Sequence, residues 1–105
     1  MSFDPSALSG LMGGFQQRLA EIKEEAAQVE VEGQAGGGLV KVVASGRMEV
    51  LSVSILEMGM DDRELLEDML VAATNDALRQ ARAVMGEKLQ ALTGGLPIPP
   101  GLLDL

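Results

Sequence analysis

A chain of 105 residues with formal net charge −8, no cysteine and no histidine excludes disulfides and thiolate–metal sites, and lacks both the usual general base and the commonest metal ligand. Its apolar fraction of 47% contains no Trp or Tyr and only two aromatic rings, Phe3 and Phe15, so smaller side chains must build the core and a partner that extends it is favoured. Acidity of this size opposes non-specific attraction to phosphate backbones and anionic membranes, and the thin chemical repertoire points away from an enzyme.

The opening MSFDPSALSGLMGG has no basic n-region and no apolar run of signal-peptide length. No stretch approaches the length needed to span a bilayer, so a cytoplasmic location is expected. Asp4-Pro5 suits a helix start, with Asp4 as cap and Pro5 in the first position, and a helix is expected over about 5–28. Leu8, Met12, Phe15, Leu19, Ile22, Ala26 and Val29 recur at alternating steps of four and three, the 3.5-residue period of a helix that buries a narrow seam against another helix. Leu8, Met12, Phe15, Leu19 and Ile22 are therefore candidates for a dimer interface. Gly10, Gly13 and Gly14 each weaken this helix by about 1 kcal/mol relative to Ala.

The period then changes from 3.5 to 2. Strands are expected over about 29–35, 39–45 and 48–56, joined at Gly36-Gly37-Gly38 and at Ser45-Gly46-Arg47, as a three-stranded antiparallel meander. In the last strand Leu51, Val53 and Ile55 share one face and Ser52 and Ser54 the other, so helices should cover a single side of the sheet. Leu51 and Val53 join the candidate dimer interface. After the connector Met58-Gly59-Met60, the run Asp61-Asp62-Arg63-Glu64 reads as a capping box with Asp61 as N-cap and Glu64 three residues on. A second helix is expected over about 62–92, with Leu66, Met69, Leu70, Ala73, Ala77, Ala81, Val84, Met85 and Leu92 on one stripe. Its acidic start and basic later part (Arg79, Arg82, Lys88) complement the helix dipole. Thr93-Gly94-Gly95 stops it, and Pro97, Pro99 and Pro100 keep residues 94–105 an extended tail beyond a single domain of residues 1–93. The fold class expected is α+β, in the order α-β-β-β-α.

The glycine run fails as a phosphate loop, because Leu39 stands where lysine is required and no helix follows. The cluster Asp61, Asp62, Glu64, Glu67 and Asp68 has no loop with ligand spacing around it, so helix capping is the simpler reading. No metal, cofactor or small-molecule substrate is expected. The cations are Arg18, Lys23, Lys41, Arg47, Arg63, Arg79, Arg82 and Lys88. Taken singly, each suits a solvated face.

Three blocks carry a resemblance: GGGLVKVVASGRMEVLSVSI (36–55), ELLEDMLVAATNDALRQA (64–81) and MGEKLQALTGGLPIPPGLL (85–103), with Asn75-Asp76-Ala77 and Thr93-Gly94-Gly95-Leu96-Pro97 as hallmarks. Over nearly its whole length the chain resembles the YbaB/EbfC nucleoid-associated proteins of bacteria. That resemblance implies the α-β-β-β-α fold and a tweezer-like homodimer with long helices projecting from a joined β-core. It also implies binding of double-stranded DNA and a role in organising the nucleoid or influencing transcription. Carried to this chain, the DNA-binding candidates it implies are Arg18 and Lys23 on the first helix and Arg79, Arg82 and Lys88 on the second. The connector 56–61 is shorter and less proline-rich than the family's, and Glu21, Glu24 and Glu25 crowd the first helix. DNA binding of modest strength, through phosphates and sensitive to salt, is the expectation. The alternative is an acidic dimeric protein-interaction module that touches DNA weakly or not at all.

Overall fold

The computed structural model describes residues 5–93, with burial described for side chains 9–92. Helix α1 spans Pro5–Ala27 and strands β1, β2 and β3 span Glu30–Ala35, Val40–Ser45 and Val50–Ile55. Helix α2 spans Arg63–Thr93, so the chain has the expected α+β order α-β-β-β-α. Two short 3-10 turns, Gly36–Gly38 and Glu57–Met60, fill the connections. The first requires its composition: Gly36, Gly37 and Gly38 have φ of 65°, 68° and 95°, a region open to glycine at little cost. The expected cap at Asp4 and the tail 94–105 lie outside the described residues.

The sheet is an antiparallel meander in the order β1-β2-β3. Pairing sets Val31, Gly33 and Ala35 opposite Ala44, Val42 and Val40, and sets Val53 and Ile55 opposite Val42 and Val40. These residues therefore share one face, which α2 covers over β1 and β2. Val40, Val42, Ala44, Met69, Ala73 and Ala77 form the buried cluster between them. Small residues let helix and strand approach closely: a methyl group at Gly33 would collide with the backbone of Ala73 and Ala77. Leu89, outside the expected stripe, is also buried.

α2 lies over β1 and β2 and touches β3 least. Two of its side chains reach around the outer edge of β1. The amide of Gln34 donates to Asp76 Oδ2 at 3.1 Å, and Gln80 Nε2 donates to the Glu32 carbonyl at 2.7 Å. β3 has no such cover. Val50, Leu51 and Val53 are 46%, 48% and 48% exposed, so helices shield only two of the three strands. A register shift between Val43 and Ala44 sets Val50 opposite Ala44, leaving Leu51 as the extra residue of a bulge and breaking the strict alternation expected there.

α1 packs on α2 by its C-terminal part. Ile22 and Ala26 are buried, Leu19 is half-buried, and Leu11, Met12 and Phe15 are exposed. The helix is anchored at the β2–β3 turn, where the Gly46 amide donates to the Val29 carbonyl at 2.9 Å and the absent side chain of Gly46 makes room for the Ala26 carbonyl.

The cap of α2 corrects the expected box. The amide of Leu65 donates to Asp62 Oδ1 at 3.2 Å and that of Leu66 to the Asp62 carbonyl at 2.9 Å, which makes Asp62 the N-cap. Asp61 closes the preceding 3-10 turn at φ −71°, ψ −25°, whereas an N-cap needs extended backbone. Glu64 then stands one position too early to close a box, and Arg63 pairs with Glu67 at 3.0 Å instead.

Candidate nucleic-acid interface

The eight cations divide by the company they keep. On α1, Arg18 Nη1 lies 3.1 Å from Glu21 and 3.4 Å from Glu25. The Glu21 hydrogen bond and then the charge of Glu25 hold its guanidinium protonated above its ordinary range. On α2, Arg79 faces Asp76 at 3.9 Å, and Lys88 reaches across to Glu25 at 3.8 Å. Arg63 is paired with Glu67. Lys23, Lys41, Arg47 and Arg82 have no carboxylate within 4.0 Å among the described residues.

This division matters for binding an anion. An exposed ion pair contributes little stability and opens readily, but its carboxylate stays beside the cation and repels an approaching phosphate. Of the five helix cations implied by the resemblance, Lys23 and Arg82 offer uncompensated charge, while Arg18, Arg79 and Lys88 are locally neutralised. Arg47, in the β2–β3 turn, joins the uncompensated set. Its sequence signal is a lone cation in a glycine-containing turn, which reads as a connector until the turn is seen beside α1. Lys41 stands on the opposite sheet face, across from Gln34 and Ser54.

The candidate dimer residues also separate. Ile22 is spent within the chain at 1% exposure, whereas Met12 and Phe15 are 57% and 44% exposed. Leu8 lies on α1 but its side chain is outside the described set. Leu51 and Val53 belong to the bare part of the β3 face, beside Val50. Among the described residues no group of three or more carboxylates is arranged to hold a metal ion, and no helix is long and apolar enough to cross a membrane.

A family model described as the YbaB/EbfC DNA-binding family matches residues 2–96. A nucleoid-associated protein of Rhodopseudomonas palustris (strain TIE-1) is 55% identical over 89 residues, which cover 83% of this chain and 84% of that one. A nucleoid-associated protein of Nitrobacter winogradskyi is 49% identical over 90 residues, covering 84% and 85%. The crystal structure of an uncharacterized protein from Helicobacter pylori superposes with a TM-score of 0.77 at 25% identity, over 89% of this chain and 98% of that one.

Proposed function

The chain belongs to the YbaB/EbfC DNA-binding family, and from that premise we propose that it works as a homodimer that grips duplex DNA by its backbone phosphates. Its place is the nucleoid of a bacterial cytoplasm, where it organises the chromosome or modulates transcription. The observation that carries the reading is the split among its cations: an acidic chain that leaves Lys23 and Arg82 uncompensated concentrates attraction for phosphate at a few points. No aromatic residue lies near these cations in sequence to stack on bases, which favours phosphate over base contacts. Dimerisation is supported by the bare face of β3. A second copy that lays Val50, Leu51 and Val53 against the same residues would cover both faces by one two-fold axis.

The test is a salt-titrated retardation assay on duplex DNA with micromolar protein. The expected result is binding at low ionic strength, with log affinity falling linearly against log salt by about 0.9 per phosphate contact. No retardation at low ionic strength sinks the DNA half. Light scattering that reports 11.0 kDa at micromolar concentration sinks the dimer half. A dimer that leaves DNA unretarded points to the second reading, a protein-interaction module, which the net charge of −8 favours.

A further inference from the structure

Where α1, α2 and the β2–β3 turn meet, a pocket of about 280 Å³ opens to solvent, with Lys23, Arg47, Met48, Glu49, Met85 and Leu89 in its lining. Two of the four uncompensated cations thus converge on one cavity from different elements. A third, Arg82, stands one helical turn before Met85 on the same flank of α2. Glu49 is the single carboxylate in the lining, and it pairs with neither cation within 4.0 Å, so the lining carries excess positive charge. Met85 and Leu89 supply an apolar floor, which excludes water from one side and strengthens the attraction for an anion.

The turn that carries Arg47 is closely tied. The amide of Ser45 donates to the Glu49 carbonyl at 2.8 Å, that of Met48 to the Ser45 carbonyl at 2.9 Å, and that of Arg47 to Ser45 Oγ at 3.3 Å. Gly46 donates to Val29. Every amide from 45 to 48 is therefore used inside the fold, and a ligand must be held by side chains rather than by a nest of backbone donors. Met48 takes φ of 66°, a conformation costly for a residue with a side chain and common at functional sites.

We propose that this pocket seats a phosphate group between Lys23 and Arg47. In the DNA complex that group is a backbone phosphate, an assignment of source that rests on the DNA-binding reading above. A dimer carries two such seats, which hold the duplex at two points.

The experiment is an amide chemical-shift titration of the full chain with a short duplex, with inorganic phosphate, and with sodium chloride at matched ionic strength. The duplex should move the amides of Lys23 and residues 46–49, and the double variant Lys23→Gln/Arg47→Gln should lose these shifts. That variant should also bind duplex about tenfold or more weakly, with a salt slope reduced by about one per phosphate contact removed. Arg18→Gln should stay within about twofold of the parent, since its charge is already compensated. Arg47→Lys should keep most of the affinity, because lysine serves a phosphate as a point charge; together with an unchanged melting temperature this separates binding from folding. If inorganic phosphate alone moves these amides, the seat stands and its ligand is a free phosphate compound. If duplex binds the double variant as tightly as the parent, the seat is overturned while DNA binding survives. Shifts no larger than those from chloride overturn it as well.

Discussion

At Gly33 one methyl group decides how closely α2 lies on the sheet. A Cβ there would enter the Ala73 carbonyl and the Ala77 amide, backbone atoms that move only if the helix moves. Gly33→Ala should destabilise the fold by about 1–3 kcal/mol, the usual range for overpacking, as urea denaturation would show. Met48 is the opposite case. Its left-handed φ costs about 1 kcal/mol for a non-glycine residue, so Met48→Gly should raise stability by up to that amount in the same assay. Neither role was legible in the sequence. Ser45-Gly46-Arg47 suggests Gly46 as the residue that turns the chain, yet Gly46 is needed for its contact with the Ala26 carbonyl and Met48 takes the strained conformation. What a glycine is for depends on the atom it faces across the fold, which local sequence does not record.

The elements themselves were legible, because the change from a 3.5 to a 2 residue period marks helix and strand directly. Their ends were less so. Two aspartates compete to cap α2, and only the 3-10 turn before them decides for Asp62. Asp62→Ala should cost about 1 kcal/mol in thermal or urea unfolding, and Asp61→Ala much less. Periodicity also cannot say what covers an apolar face. The α1 seam is continuous in sequence, but the fold buries Ile22 and leaves Met12 and Phe15 open. On β3, Val53→Lys places a charge on a half-exposed position and should leave the protomer folded. It should weaken self-association by tenfold or more, at about 1.4 kcal/mol per decade, as sedimentation equilibrium would measure.

For the whole molecule, the arrangement of charge matters more than its sum. Composition gives −8, which argues against nucleic acid, and only the folded chain shows which cations stay unpaired. The i,i+3 pairs of Arg18 and Arg79 were within reach of sequence reasoning. The Lys88–Glu25 pair and the meeting of Lys23 with Arg47 join distant elements and were not. Glu25 compensates two cations at once, Arg18 and Lys88, so Glu25→Gln should raise duplex affinity severalfold and steepen its salt dependence. The two sheet edges set a further limit at this scale. β1 has two of its outer hydrogen-bonding groups, the Gln34 amide and the Glu32 carbonyl, occupied by Asp76 and Gln80, while among the described residues β3 ends the sheet with no strand beside it. A flat sheet open at both ends can add copies without end and grow into a fibre. Were β3 to pair edge to edge with a second copy, that pairing would consume the more open edge of each copy and favour a closed pair over a growing filament.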